Sequence, residues 1–456
     1  MPRTVLHAPS AMLIDGWADD VLITIDSGGM IESVDTGTPA PPGSVRLAGS
    51  AIPGMANLHS HAFQRAMAGL GEKAGAGAAD SFWSWRETMY LFLARLGPDE
   101  VGAIAAQLYL EMLKAGYTAV GEFHYLHHQQ DGTPYDDPAE IAWRLVDAAR
   151  HTGIALTLLP VLYTFGGFGE APAEPGQRRF VHDSDAYLRL LQALGRVRDC
   201  GVRLGIAPHS LRAVGLTGLT EALACVDDGT PIHIHIAEQR REVEECLDWS
   251  GLRPVDWLLE HVPVDRRWCL VHATHVTAGE VARMAACGAV VGLCPTTEAN
   301  LGDGMFPLGS YLKRRGAFGI GSDSHVSTSP VEELRWLEYV QRLRRRRRCM
   351  VSTRDIPHTG EALWRSGLAG GARALGQEAA GLQPGAPADV VVLDADHPSL
   401  VARRHGRLLD SFILSGNGNP VRDVFVRGRH VINRGHHAME DRIARDYAAV
   451  MRSMVR

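Results

Sequence analysis

The chain has 456 residues, of which 45% are hydrophobic and 21% are charged, and its formal net charge at pH 7 is -6. This composition is that of a globular protein, and the small negative charge excludes a strongly basic surface for nucleic acid or anionic membranes. No apolar run reaches the roughly 18 residues of a membrane span, and the N-terminus lacks a signal-peptide pattern. Seven dispersed cysteines without a CxxC pair predict a reducing compartment, the cytoplasm.

The two ends of the chain share a β-rich pattern. Residues 11–14 and 20–25 near the N-terminus, and residues 389–393 and 423–429 near the C-terminus, are short runs typical of strands. We therefore predict that these ends meet in a small second domain that is discontinuous in sequence.

Between these ends, short β-rich runs alternate with longer amphipathic segments, a pattern that favours a parallel sheet. Eight runs are predicted to be strands: residues 51–58, 118–123, 154–162, 202–209, 231–237, 268–273, 289–294 and 317–322. Predicted helices between them include residues 99–115, 138–151 and 330–348. Eight strand–helix units over residues 51–380 predict an α/β protein with a (β/α)8 TIM barrel.

Histidine or aspartate lies at or just beyond the end of five of the eight runs, where a TIM barrel carries its active site. His59 and His61 close the first run and point to the same side, because side chains alternate along a strand. His235 lies near the end of the fifth run, and Asp323 follows the eighth. Three imidazoles and one carboxylate can hold a divalent metal and leave a position for water. The sequence therefore predicts a catalytic metal site.

Other histidines either join this site or stabilise the fold: His209, His233, His272 and His325. His233 shares the face of His235 but lies deeper in the strand, so we expect it to support the ligands or the core. Two pairs are predicted to lie in surface loops, His127-His128 and His436-His437.

These strand-end residues resemble those of the amidohydrolase superfamily. The matching stretches are Pro53 to His61, His235, His272 and Gly321-Ser322-Asp323. The resemblance implies a TIM barrel over residues 51–380 and a composite β-sandwich built from residues 1–50 and 381–456, the latter including a terminal helix. It also implies a single metal, because residues 202–209 lack the lysine that bridges two metals in other members. The run from His235 to Glu238 resembles the deaminase branch, in which the glutamate contacts the nitrogen being protonated.

Longer runs resemble the formimidoylglutamate deiminase family within that superfamily. They are residues 57–69, 82–86, 121–125 and 207–212. The resemblance implies a hydrolase that converts N-formimino-L-glutamate to N-formyl-L-glutamate and ammonia, a step of histidine degradation.

Each part of such a substrate has a predicted partner in this chain. The metal, Zn²⁺ with Fe²⁺ as the alternative, lowers the pKa of its water to about 7, and the resulting hydroxide attacks the formimino carbon. Asp323 accepts the proton, Glu238 protonates the formimino nitrogen, and His272 orients the hydroxide and stabilises the developing charge. The residues expected to bind the two carboxylates and complete the pocket are Arg86, Arg212, Gln64, Tyr125 and His209.

Two other functions remain open at this point. Another amidohydrolase deaminase, acting on guanine, another purine or a triazine, would share the metal residues and Glu238 but would not need two carboxylate-binding arginines. A non-catalytic barrel scaffold would typically have lost a ligand or the base, whereas all of these positions are filled. For either enzyme we expect a small-molecule substrate, a homodimer, and neither nucleic acid nor membrane as a partner.

Overall fold

The computed structural model describes residues 3–73, 82–377 and 379–454. Its strands are β1 (Thr4–Leu13), β2 (Gly16–Ile25), β3 (Ile31–Asp35), β4 (Val45–Arg46), β5 (Ala51–Pro53), β6 (Met55–Ser60), β7 (Tyr117–His124), β8 (Ala155–Leu162), β9 (Arg203–Leu204), β10 (Ala207–Pro208), β11 (Ile232–Ile236), β12 (Trp268–His272), β13 (Val290–Leu293), β14 (Ala317–Ile320), β15 (Val390–Leu393), β16 (Val421–Val426) and β17 (Arg429–Ile432). Its helices are α1 (Phe82–Leu93), α2 (Pro98–Ala115), α3 (Glu140–Thr152), α4 (Ser184–Ala193), α5 (Leu216–Ala224), α6 (Arg240–Ser250), α7 (Pro254–His261), α8 (Ala278–Cys287), α9 (Pro295–Asn300), α10 (Leu308–Leu312), α11 (Pro330–Arg345), α12 (Thr359–Ala374), α13 (Gly406–Leu414) and α14 (Glu440–Met454).

The larger sheet is parallel and closes into a barrel. Its strand order is β10-β8-β7-β6-β14-β13-β12-β11, with β9 also paired to β8. A bridge between Ile206 and Ile232 closes the ring, and the amides of His233 and His235 donate to the carbonyls of Ile206 and His209. The predicted TIM barrel is confirmed, and His59, His61 and His235 lie at the carboxyl ends of its strands.

The fourth barrel strand is shorter than the run of residues 202–209 predicted. It is split into β9 and β10 around Gly205, where a Cβ would lie 2.6 Å from Leu159 Cδ2 and 2.8 Å from the Pro231 carbonyl oxygen. Only glycine permits this close approach. Pro208 also lacks the N–H that a longer ladder would require.

The two chain ends form a second, eight-stranded sheet. Its order is β17-β16-β15-β5-β1-β2-β3, with β4 paired to β1. The C-terminal strand β15 runs antiparallel to β5, pairing Val390 with Pro53 and Val391 with Ile52. Because β5 leads directly into β6, this sheet anchors the strand that carries His59 and His61. The expected meeting of the two ends in a small β-domain is therefore observed.

Helix α12 packs against the barrel strands β6, β13 and β14, at the end opposite the predicted ligands. His233 Nε2 donates to the Ala374 carbonyl at 2.8 Å, and Thr157 Oγ1 donates to the Leu375 carbonyl at 3.3 Å. His233 is fully buried. It therefore ties its strand to α12 and belongs to the core, one of the two roles that its position predicted.

Helix α11 presents an apolar stripe to solvent. Trp336, Tyr339 and Leu343 are spaced three and four residues apart and are 40%, 37% and 76% exposed. The helix ends within the arginine run, at Arg345, where cations suit the negative end of the helix dipole. Among the described residues, no helix is long and apolar enough to cross a membrane.

A separate cluster of histidines lies beside the carboxyl ends of β7 and β8. His127 and His182 both donate from Nε2 to the Val161 carbonyl at 3.0 Å, and their rings stack with centroids 4.7 Å apart. His124 packs edge-on against His127. The prediction that His127 lies in a surface loop was wrong, because this loop folds under the segment that carries His182 and buries the ring.

These buried neutral histidines predict a loss of stability in acid. Burial lowers the pKa of His124 to about 3 and that of His182 to about 4, whereas an unfolded histidine titrates near about 6.5. As pH falls below about 6.5 the unfolded chain therefore binds more protons than the folded chain. For His182 this linkage removes about 2 kcal/mol of the free energy of unfolding between pH 7.5 and pH 5.

His182→Gln should reduce this pH dependence, because glutamine keeps a donor for Val161 but does not titrate. The measurement is urea unfolding at both pH values, with His436→Gln as a control because His436 is exposed on the surface. Identical pH dependence in the wild type and His182→Gln would contradict the assignment.

Candidate active site

The four predicted metal ligands converge at the carboxyl end of the barrel. His59 Nε2 lies 2.9 Å from His235 Nε2. Asp323 Oδ1 lies 3.3 Å from His59 Nε2 and 3.2 Å from His61 Nε2. One ligand atom from each of the four residues lies within 4.8 Å of all the others, and all four residues are buried. The barrel thus brings together residues separated by up to 264 positions in sequence.

The protonation of this cluster fits a bound cation. His61 Nδ1 donates to the Phe123 carbonyl at 2.9 Å, so the neutral ring turns an unprotonated Nε2 toward the Asp323 carboxylate. Burial lowers the pKa of His59 to about 3 and holds that of His235 well below its usual value. Burial opposes a charge on Asp323, but its contacts with the His59 and His61 rings outweigh this effect and hold its pKa well below its usual value. Lone pairs that face one another without shared protons suit a divalent metal.

The backbone is strained where the strands meet the site. Ala237, His272, Ala273 and Asp323 have φ angles of +50°, +68°, +47° and +46°. Left-handed conformations of non-glycine residues cost on the order of 1–3 kcal/mol each and persist only where the surroundings fix them. Here the Ala273 amide donates to Ile236 and the Asp323 amide to His59. The functional side chains are therefore held in place by the barrel itself.

Three candidate catalytic side chains face one another beside the metal ligands. His272 Nε2 lies 3.9 Å from Glu238 Oε1 and 4.0 Å from Asp323 Oδ2. Burial opposes a charge on His272, but the carboxylates of Glu238 and Glu298 outweigh it and raise its pKa to about 10. Burial raises the pKa of Glu238, which favours a carboxyl group that can carry a proton. An acid, a base and a cation thus share one small volume.

The five predicted substrate residues line the cavity that opens onto this cluster: Gln64, Arg86, Tyr125, His209 and Arg212. Gln64 Nε2 donates to Tyr125 Oη at 2.8 Å, which leaves Gln64 Oε1 buried and without a partner among the described residues. Burial, with the nearby Arg212 cation, holds the pKa of His209 well below its usual value. The cavity wall therefore offers a neutral amide and imidazole beside two cations.

Arg212 is a buried cation without a paired anion. It is 8% exposed, its Nε lacks a hydrogen-bond partner, and no carboxylate among the described residues lies within 4 Å of its guanidinium nitrogens. Burial opposes its charge, but the more distant Glu242 outweighs this and raises its pKa. Arg86, on α1, stacks 4.7 Å from the Trp83 ring and lies 3.6 Å from the exposed Glu174. A buried charge that lacks a counterion is a binding site for an anion.

Three buried carboxylates that hold the site in place escaped sequence reasoning. Glu122 accepts from Ser60 Oγ and the Ala62 amide, both at 2.6 Å, on either side of His61. Glu242 accepts from the amides of Ala237 and Glu238 at 3.1 and 2.9 Å. Glu298 contacts His272. Glu122 is an acidic residue within a largely apolar strand, but that signal does not reveal its partner, and Glu242 and Glu298 lie among polar residues and give no such signal.

His325 supports the site rather than joining the ligand set. Its Nε2 accepts from the His61 amide at 3.2 Å, and its Nδ1 lies 2.9 Å from Ser322 Oγ. The ring is fully buried behind the turn that carries His61. Of the two roles left open by the sequence, the structure thus favours support.

A parallel barrel with inward imidazoles at its strand ends is the architecture of metal-dependent hydrolases. A family model described as "Amidohydrolase family" matches residues 50–431, and one described as "Formimidoylglutamate deiminase HutF, N-terminal domain" matches residues 3–47. The chain therefore belongs to the amidohydrolase family. The solved structure of an amidohydrolase from Brucella melitensis superposes with a TM-score of 0.95 at 46% identity, covering 99% of this chain and 100% of that one.

Comparison with the sequences of known proteins places the chain in one group within the amidohydrolase family. Formimidoylglutamate deiminase from Pseudomonas aeruginosa is 53% identical over 449 residues, covering 98% of this chain and 99% of that protein. Within the amidohydrolases, this chain groups with the formimidoylglutamate deiminases. A zinc-bound adenosine deaminase from Xanthomonas campestris, at 20% identity and a TM-score of 0.82 over 99% of this chain and 98% of that one, shares the fold.

Proposed function

We propose that this protein hydrolyses N-formimino-L-glutamate to N-formyl-L-glutamate and ammonia. The observation that carries the proposal is Arg212, a buried cation that has no counterion among the described residues and lies in the same cavity as the four-ligand cluster. A substrate carboxylate would supply the missing charge through a bidentate pair. Guanine, other purines and triazines carry no carboxylate, so they would leave Arg212 unpaired.

The hydrolytic centre consists of His59, His61, His235 and Asp323, which would hold one divalent cation. When bound, such a cation acts as a Lewis acid and lowers the pKa of water to about 7. Zn²⁺ suits three imidazoles and a carboxylate, and Fe²⁺ is the alternative. Elemental analysis of the purified protein distinguishes the two.

Proton movement in the reaction is assigned to Asp323, Glu238 and His272. Asp323 takes a proton from the attacking water as the water oxygen bonds to the formimino carbon. Glu238 delivers a proton to the formimino nitrogen, and Asp323 then passes the proton it took from water to the same nitrogen, so that the C–N bond breaks and ammonia leaves. The proton of the hydroxyl group on the carbon passes to Glu238 as the carbonyl forms. His272, whose Nε2 faces both carboxylates, stabilises the negative charge that develops on the oxygen. Water and N-formimino-L-glutamate together thus supply all the atoms of N-formyl-L-glutamate and ammonia.

The rest of the cavity positions the glutamate part of the substrate. We assign the two carboxylates to Arg212 and Arg86, with Arg86 exchanging its contact to the exposed Glu174 for the ligand. Gln64, Tyr125 and His209 complete the wall, and Gln64 Oε1 is available to accept a bond from the formimino or amino nitrogen. Because these side chains are already in place, less entropy is lost when the substrate is held in its reactive orientation.

We further propose that the protein is a cytoplasmic homodimer. The six described cysteines are free, which agrees with a reducing compartment. The exposed stripe of Trp336, Tyr339 and Leu343 on α11 is an apolar surface of the kind that a second copy would cover. Sedimentation of the wild type and Leu343→Glu tests this assignment.

An ammonia-release assay tests the proposed function. The zinc- or iron-loaded enzyme is offered N-formimino-L-glutamate, guanine, adenosine and a triazine that carries free amino groups, at equal concentrations. We expect turnover of N-formimino-L-glutamate at a kcat/KM of at least about 10⁴ M⁻¹s⁻¹, the lower range for natural substrates. Preference for a purine or triazine would support the rival deaminase function, and no metal and no turnover would support a scaffold.

Arg212→Met should raise KM for N-formimino-L-glutamate by roughly 10–100-fold, because a charge-assisted pair contributes about 1.5–3 kcal/mol. Since the substitution removes a buried charge that lacks a counterion, the ligand-free protein should be no less stable. The measurements are steady-state kinetics and thermal unfolding. Arg241→Met is the matched control. The guanidinium of Arg241 lies over the Trp83 ring, as that of Arg212 does, but Arg241 is paired with Glu245 at the surface. An unchanged KM for Arg212→Met would remove it from the carboxylate site.

A further inference from the structure

The His272 side chain is fixed by a bond on the side away from the cavity. Its Nδ1 lies 3.3 Å from Glu298 Oε1, and its Nε2 faces Glu238 and Asp323. Because a carboxylate only accepts, the bond places the Nδ1 proton toward Glu298. The Nε2 atom is thereby directed at the position where water attacks.

Glu298 is itself held by the start of α9. The same Oε1 atom accepts from the Cys294 amide at 3.0 Å, immediately before the helix begins. Glu298 is 5% exposed, and no arginine or lysine among the described residues lies within 4 Å of it. Its only ion-pair partner in the described chain is His272. A buried carboxylate with this single partner is placed for that imidazole.

The backbone of His272 gives a reason for such a support. His272 and Ala273 both adopt left-handed φ angles, so the strand end is strained where the ring leaves it. A bond from the far side of the ring fixes the rotation that the strained backbone alone would leave free.

We propose that Glu298 is a positioning residue for the hydrolytic reaction, acting through His272 by orienting its ring. The role given to His272 in this inference rests on the proposed function, whereas the contact between Glu298 and His272 does not. It assigns a task to a residue of α9 that neither touches the substrate cavity nor belongs to the metal ligands.

Two substitutions separate charge from geometry. Because Oε1 accepts both bonds, Glu298→Gln can keep them through its amide oxygen and removes only the charge. Glu298→Ala removes both. We expect kcat to fall about 10–100-fold in Glu298→Ala and less than about threefold in Glu298→Gln, with KM changed less than about threefold and metal content unchanged in both.

Two comparisons distinguish positioning from a general structural effect. In a His272→Asn background, Glu298→Ala should cause no further loss of kcat, because its effect passes through the imidazole. Glu333→Gln is the matched control: this buried carboxylate binds Thr296 of the same helix but does not contact His272, so kcat should stay within about twofold. An additive loss in the double variant, or an unchanged kcat in Glu298→Ala, would overturn the proposal.

A spectroscopic readout keeps the test independent of the substrate. In protein labelled with ¹⁵N-histidine, the Nδ1–H of His272, identified by its absence in His272→Asn, should give a downfield proton signal that Glu298→Ala removes and Glu333→Gln preserves. Loss of the signal in Glu298→Ala supports the contact, and persistence overturns it. If the wild type fails to turn over N-formimino-L-glutamate but this signal behaves as expected, the proposed function fails and the positioning of His272 stands.

Discussion

His235→Ala is expected to remove both the bound metal and the activity. His235 supplies one of three imidazole nitrogens, and its Nε2 lies 2.9 Å from that of His59, so the remaining residues cannot enclose a cation. The loss of Lewis-acid catalysis should lower kcat by roughly 10³-fold or more. The measurements are metal content by elemental analysis and ammonia release from the same sample.

The same strand provides the matched control. His233 lies two residues before His235, but its Nε2 bonds to the Ala374 carbonyl at the opposite end of the barrel. His233→Ala should therefore lower the melting temperature while keeping about one metal per chain and activity within about threefold. Full turnover in metal-analysed His235→Ala would show that the metal site is wrongly assigned.

Glu238→Gln should abolish most of the activity without loss of metal. Glutamine keeps the shape of the side chain but cannot deliver a proton to the formimino nitrogen, a contribution of about 10²–10⁴-fold. We expect that fall in kcat with KM changed only a few-fold, because Arg212 and Arg86 still bind the carboxylates. Steady-state kinetics and elemental analysis check the two halves of this expectation.

An exposed glutamate nearby serves as the control for Glu238. Glu244 lies on α6, outside the group of residues that line the substrate cavity, and Glu244→Gln should leave kcat and KM unchanged. Retention of more than about one third of the wild-type kcat by Glu238→Gln would assign proton delivery to another group. Loss of metal from this variant would instead indicate that Glu238 supports the ligands.

The sequence by itself determined the architecture and the chemical type of the site. Apolar residues recur with one period in strands and with another in amphipathic helices, so the sequence indicates which segments form each. Side chains alternate along a strand, which puts His59 and His61 on one side. The carboxyl ends of barrel strands meet at one end of the barrel, so the sequence predicts that His235 and Asp323 lie beside His59 and His61. Local patterns and one topological rule thus suffice to bring these four side chains together.

Only the tertiary structure decided which polar residues lack a partner and which support one another. Arg212 could have been one of many surface arginines, and its burial without a counterion depends on segments distant in sequence. The burial of His127 likewise depends on the segment that carries His182. The contact between Glu298 and His272 joins α9 to the end of β12. Such contacts cannot be inferred from periodicity, because they depend on the distances between side chains that packing sets and not on the pattern within any one element.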